Sequence, residues 1–323
     1  MKAIIFPTYG TPDVLQLVDK DIPTPDDNQV LIKVHTAAAN PLDWHRMLAD
    51  PVFVRLSEGL LKPKNTKLGA DIAGTVEAVG KNVTQFKVGE RVFGEIGSGG
   101  FAEYALAPEK YLAHIPDNVS FADAAAIPVV GFTALQGLRD TGKIQAGQTV
   151  LVNGASGGVG STAVQIAKAY DTIVTGVCST RNLDLVRSIG ADHVIDYTQG
   201  SITQHGNRYD LVYDAVGNLS VRDFKQLLTP TGRAVVAGFT TLGRMVSVMI
   251  MGAWASKKEG QFIGSMGTAQ PNQEDLQYLA NLMATGKLKS VIDCHYSLED
   301  TAEALRYLLT MRARGKVLID IAH

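Results

Sequence analysis

Apolar residues along this chain recur with two different periods, and the change from one to the other divides it. From Met1 to about residue 120, short β-like runs are separated by Gly, Pro and Asn. The best strands are Ala3 to Phe6, Val30 to Ala39, Asp71 to Val79, Arg91 to Gly94 and Phe101 to Ala107, with Lys87-Val-Gly89-Glu90 as a turn. Within this part Asn40-Pro-Leu-Asp43-Trp-His45-Arg46 leaves a strand and starts a helix, and Lys62-Pro-Lys64-Asn-Thr-Lys67 is a basic loop. The composition shifts at Phe121 to Pro128, and strands then alternate with helices. Helices are predicted at 130–141, 158–170, 182–189 and 220–228, and strands at 149–153, 173–178, 193–196, 211–214, 232–237 and 261–264. That alternation predicts a parallel, doubly wound sheet. The end of the chain changes again: 271–285 reads as helix, Ser297-Leu-Glu-Asp300 as the capping-box-like start of an amphipathic helix, and 316–321 as a last strand. The sheet is complete near residue 265, so the tail is expected to return to the first domain. The expected division is 1–122, 123–265 and 266–323, with ligands bound in the cleft that results.

The stretch that organises the middle domain is Val150-Leu-Val152-Asn153-Gly154-Ala155-Ser156-Gly157-Gly158-Val159-Gly160. An apolar strand leads through a glycine turn into a helix whose apolar face is Val159, Ala163, Ile166, Ala167 and Tyr170. Against the dinucleotide fingerprint, Ala155 to Gly160 departs only at its first position. Such a turn brings backbone N–H groups and a helix N-terminus to a pyrophosphate. Small residues there also serve plain helix-on-strand packing. The second strand ends Cys178-Ser179-Thr180-Arg181-Asn182, without the acid that holds a ribose 2′-hydroxyl in NAD sites. An acid would repel a 2′-phosphate and an arginine attract it, so Ser179, Thr180 and Arg181 favour NADP(H) over solvated loop duty. Tyr197, just past the third strand, suits packing on the adenosine or ordinary surface packing. Ala215, Val216, Gly238 and Phe239 follow the fourth and fifth strands, at the expected cofactor edge.

Composition removes other classes. The 323 residues are 46% hydrophobic and 19% charged, with a net charge of −2, which supplies no broad attraction to nucleic acid or anionic membrane. Two cysteines, Cys178 and Cys294, form neither a disulfide framework nor a four-cysteine zinc site. The opening run is too short for a signal peptide and Met245 to Trp254 too short to span a bilayer, so a cytoplasmic protein without membrane insertion is expected. The Met-rich stretch serves core or subunit packing, or forms an apolar wall at a substrate entrance.

These features, with Asn40-Pro-Leu-Asp43, Gly69-Ala70-Asp71 through Gly80, Gly99-Gly-Phe-Ala-Glu103-Tyr104, Gly131-Phe-Thr133 and Gly154 to Gly160 in order, resemble the zinc-free quinone oxidoreductase branch of the medium-chain dehydrogenase/reductases, which includes zeta-crystallin. The resemblance implies an α/β protein, a Rossmann domain plus a GroES-like catalytic domain, in a homodimer or homotetramer. It implies NADPH reducing quinones or the C=C bond of enones, so the partner is a small hydrophobic carbonyl or quinone. The alternatives are an NADPH-binding structural or regulatory protein with little turnover, and a zinc-free alcohol or aldehyde oxidoreductase. In zinc relatives the catalytic cysteine aligns with Asn40, the Gly-His-Glu segment with Gly69-Ala70-Asp71, and a third ligand near Val129. No metal is therefore expected.

By the same resemblance Asn40 lies at the nicotinamide and substrate end, where its amide donates to a carbonyl or caps the helix begun at Pro41. Asp43 orients, and Thr133 sits by the nicotinamide amide or ribose. Arg314 and Lys316 belong to a segment that closes over the cofactor phosphates. Lys64 is a candidate donor to the substrate carbonyl or a solvated surface lysine, and His45 and Arg46 stand under the same two readings.

Overall fold

A computed structural model of the chain describes residues 1–51, 54–252 and 260–322. It separates into two compact units, one of Met1–Val129, Pro271–Thr285 and Ser290–His323, the other of Val130–Gln270 and Gly286–Lys289. Each is an αβ unit built on its own sheet, one largely antiparallel and one parallel, as the two periodicities predict.

In the first unit β1 (Lys2–Ile5) and β2 (Gln16–Asp19) form an antiparallel ribbon. Then come β3 (Gln29–Ala39), helices α1 (Pro41–Leu48) and α2 (Val54–Glu58), β4 (Asp71–Val79), β5 (Arg91–Glu95), β6 (Tyr104–Pro108) and β7 (Leu112–His114). The long apolar β3 is the hub, pairing antiparallel with β4 and β6. Its inward face packs with Phe6, Ile72, Phe101 and Leu112, all essentially out of contact with water. Burying side chains of that size is worth roughly 1.5–3 kcal/mol each, which holds the sheet's register.

Helices α3 (Phe121–Ala125) and α4 (Pro128–Gln136) lead into the second unit. There β8 (Thr149–Asn153), β9 (Ile173–Cys178), β10 (His193–Asp196), β11 (Tyr209–Asp214), β12 (Leu228–Val236) and β13 (Phe262–Ser265) make one parallel sheet in the order β10-β9-β8-β11-β12-β13. Helices α5 (Gly158–Ala169), α6 (Leu183–Ser188) and α7 (Val221–Leu227) are the crossovers. The strand order reverses at β8, and ligands of such sheets bind outside the carboxyl ends of the strands at that point.

The tail returns to the first unit. Strand β14 (Ile292–Ser297) pairs with β15 (Lys316–Asp320), and β15 pairs antiparallel with β3, giving the order β14-β15-β3-β4-β5-β7 with β6 also on β3. Residues Gly286–Lys289 lie with the second unit, where the Gln165 amide exchanges hydrogen bonds with the Lys289 backbone at 2.9 and 2.8 Å. Two local expectations change. Ile292–Ser297 is a strand that alternation does not reveal, because it is partly exposed along its length at the sheet edge. Ser297 and Asp300 do bond each other, but in the turn before the helix, which begins at Thr301. Of the Met-rich stretch, Val248 is buried while Met249, Ile250 and Met251 are exposed; Ala253 and Trp254 lie outside the described residues.

Candidate active site

Antiparallel pairing brings four distant segments to one end of the first unit's sheet. Asn40 follows the last residue of β3, Asp71 opens β4, Glu95 closes β5 and Lys316 opens β15. Asn40, Asp71 and Lys316 are all buried. The Lys316 ammonium donates to Asn40 Oδ1 and lies 3.3 Å from Asp71 Oδ2. Asn40 Nδ2 donates to Ala38 O at 3.1 Å and to Asp71 Oδ2 at 3.0 Å, and the Val129 N–H donates to Asp71 Oδ1 at 3.0 Å. Buried Asp43 receives the backbone N–H groups of Asn40 at 2.8 Å and Gly69 at 2.7 Å, tying the start of α1 to the segment before β4.

This geometry corrects two expectations. Both N–H groups of the Asn40 amide point at protein acceptors, so the amide does not present a donor to a carbonyl; Asn40 is instead the N-cap residue of α1, with Asp43 receiving its backbone N–H in a capping box. Lys316 does not face a phosphate beside Arg314. Arg314 lies before β15, whereas Lys316, which opens it, is buried with its ammonium 3.3 Å from the Asp71 carboxylate. Arg314 itself is exposed, its N–H bonded to Asp293 at 2.8 Å.

Burial pushes the Asp43 carboxyl up to about 6 despite its two backbone donors. Burial raises Asp71 as well, against the pull of Lys316. Glu95, which no motif singles out, is raised too. Burial, then the neighbouring Asp71 carboxylate, lift it to about 8.

In the second unit the glycine turn follows β8 as expected. Gly154 has φ +81°, a conformation costly for other residues, and a Cβ on Gly160 would lie 2.0 Å from Gly154 O, so only glycine lets α5 approach the turn this closely. The N–H groups of Gly158, Val159 and Gly160 fall in the first turn of α5, where no helical carbonyl precedes them, and this suits an anion. Buried Asn182 links the turn to the end of β9, donating to Ser156 Oγ at 2.9 Å and Ser179 Oγ at 3.3 Å. Buried Asp214 gathers Asn153 Nδ2 and the N–H groups of Val216 and Gly217 at 2.8–3.0 Å, which fixes the loop carrying Ala215 and Val216. Neither Asn182 nor Asp214 belongs to the dinucleotide fingerprint; the signal for Asp214 was its place at the end of an apolar strand. Gly217, after β11, packs against the Gly238 carbonyl after β12, leaving Gly238 and Phe239 half-buried at the carboxyl edge.

At the ribose end Thr180 and Arg181 are exposed and Tyr197 is 57% exposed. An acid is present after all, one strand over. Asp196 of β10 accepts the Thr180 hydroxyl at 2.5 Å and the Thr198 hydroxyl at 2.7 Å, and these bonds hold its carboxyl below the usual range. Thr133 lies half-buried on α4, its carbonyl receiving the Tyr213 hydroxyl at 2.9 Å. Lys64 is exposed. His45 bonds the Asp50 carbonyl, and Arg46 bonds Gly97 O and Glu58, so both are tied to their own surroundings.

Residues 26–117 match the family model of the alcohol dehydrogenase GroES-like domain, and residues 189–319 that of the zinc-binding dehydrogenases. The chain is 33% identical to the chloroplastic quinone-oxidoreductase of Triphysaria versicolor, over 99% of this chain and 98% of that one. It is 34% identical to the 2-methylene-furan-3-one reductase of Solanum lycopersicum, over 99% of this chain and 79% of the other. Among solved structures, the quinone oxidoreductase from Coxiella burnetii superimposes with a TM-score of 0.87 at 31% identity, covering 100% of this chain and 99% of that one.

The description of the second family model raises the question of zinc. Where zinc relatives carry ligands, this chain offers an amide whose N–H groups are bonded to Ala38 O and Asp71, a carboxylate already receiving three donors, and an ammonium 3.3 Å from that carboxylate. That set repels a dication and does not fit the three-ligand site zinc requires. Among the described residues no group of three or more His, Cys, Asp or Glu is placed to hold a metal, and no helix is long and apolar enough to cross a membrane.

Proposed function

The chain belongs to the quinone-oxidoreductase type of the medium-chain dehydrogenase/reductases, and from that premise we propose that it is an NADPH-dependent, zinc-independent reductase of quinones or of the C=C bond of α,β-unsaturated carbonyls. The observation that carries the reading is the Lys316 ammonium set between Asn40 and Asp71, where zinc relatives hold their metal. Alcohol oxidation leans on a Lewis acid to stabilise the alkoxide, whereas reduction of a polarised C=C bond needs only orientation and a proton. Relatives named as quinone oxidoreductases and a furanone reductase support the same acceptor class.

NADPH, when bound, supplies the hydride. The N–H groups of Gly158 and Val159, with Gly154, Ser156 and Gly157 shaping the turn, hold the pyrophosphate. Ser179, Thr180 and Arg181 take the 2′-phosphate, Tyr197 packs on the adenosine, and Ala215, Val216, Gly238 and Phe239 line the cofactor edge. Thr133 serves the nicotinamide end and Arg314 the phosphate side. Asn40 and Asp43 act as frame for the acceptor region, and exposed Lys64 is the donor to the acceptor's carbonyl oxygen. The family resemblance adds a cytoplasmic homodimer or homotetramer.

The test is NADPH consumption over a panel of quinones, enones and aldehydes with product identification, repeated after dialysis against a chelator. Turnover of quinones or enones that survives chelation is the expected result. NADPH binding without turnover of any acceptor overturns the reading in favour of a binding protein, and chelator-sensitive alcohol oxidation overturns the zinc argument.

A further inference from the structure

Asp71 and Glu95 stand directly opposite each other in the antiparallel β4–β5 ladder. Opposed residues of such a pair project on the same face, a few ångströms apart at Cβ, and like charges so placed repel. Asp71 has its charge matched by Lys316 and by the donors of Asn40 and Val129. Among the described residues Glu95 makes no hydrogen bond or ion pair, and it is only half-buried, so it is not sealed from water. The charged groups that act on it are Asp71 from β4, Lys316 from β15 and Asp43 from α1, two acids against one base.

We propose that Glu95 is the proton donor of the reduction, set opposite Asp71 on one face of the sheet and recharged from solvent through its exposed side. The proposal rests on the reductase reading above. Hydride arrives at the β-carbon of an enone, and the C=C electron pair moves toward the carbonyl to leave an enolate. The Glu95 O–H bond then breaks as a C–H bond forms at the α-carbon, the enolate collapses to the ketone, and the Glu95 carboxylate regains its proton from water. Burial and the Asp71 charge place its titration at about 8, so the acid form dominates at neutral pH. A quinone reduced by hydride leaves an oxygen anion, which water protonates quickly without help. Glu95 should therefore matter for enones and little for quinones.

The experiment compares wild type with Glu95→Gln, which keeps size and removes the proton. The expected result is at least tenfold lower kcat on an enone, KM for NADPH within about twofold, quinone turnover within about threefold, and loss of the alkaline fall in enone kcat that wild type shows near pH 8. Two readouts need no turnover. Cofactor-free wild type should show a protonated-carboxyl infrared band that titrates near pH 8 and is missing in Glu95→Gln. Its stability, raised while the acid is neutral, should be lost as pH rises from the ordinary glutamate value of 4.5 through about 8, and the Gln variant should lack that slope. Unchanged enone kcat with the alkaline limb retained in Glu95→Gln overturns the proposal, as does a wild type that reduces quinones but no enone. A wild type that reduces neither overturns the reductase reading instead.

Discussion

The glycine turn after β8 and the charged end of the β3–β4–β5–β15 sheet both present polar groups at strand ends, yet the first is made of backbone and the second of side chains. The turn comes from one continuous stretch, Gly154 to Gly160, and works by what is missing, since a Cβ at Gly160 would strike Gly154 O. The charged end takes its members from positions 40, 71 and 316, with Glu95 opposite Asp71, and those three work by mutual compensation. Local sites of the first kind tolerate changes elsewhere. Sites of the second kind fail when any member goes, because each charge is buried on the condition that its partner is there.

Lys316→Met should break this contrast hardest. Leaving Asp71 buried and unpaired is expected to cost about 3–5 kcal/mol, read as a lower denaturant midpoint. The double variant Lys316→Met with Asp71→Asn should recover a good part of it. No recovery would mean that Lys316 acts through packing alone. Gly160→Ala should come next, at about 1–3 kcal/mol with NADPH binding weakened more than tenfold by calorimetric titration, because backbone must move to admit the methyl. Binding at wild-type strength would remove the close approach of α5 from the account. Asp196→Asn should have the smallest effect. Removing an anion beside Thr180 should raise kcat/KM for NADPH over NADH by up to about tenfold, more at low salt than high. A fall in that ratio would show that Asp196 serves the 2′-phosphate site by holding Thr180 in place.

The fold was readable where the pattern was local. The six parallel strands and their helices follow continuous apolar runs and glycine or polar breaks, and β3 and β4 begin and end within a residue of expectation. Strand β14 was not readable, since a half-exposed edge strand with Asp293 and His295 alternates weakly. At the site, the residue types that matter by spacing, such as Gly154 and Gly160, could be found from a window of eleven positions. Glu95 could not, because a single glutamate closing a strand has no signature until its cross-strand partner is known.

Residue order alone determined that this chain has a glycine-turn nucleotide unit and a β-rich companion, because strand period, helix period and backbone conformation are properties of neighbours in sequence. Tertiary structure decided that Asn40 spends its amide inside the protein, that Lys316 is a buried cation rather than a phosphate ligand, and that Glu95 sits against Asp71. Those outcomes depend on register between strands far apart in the chain and on low-dielectric burial, where a partner a few ångströms away outweighs anything the flanking residues can express.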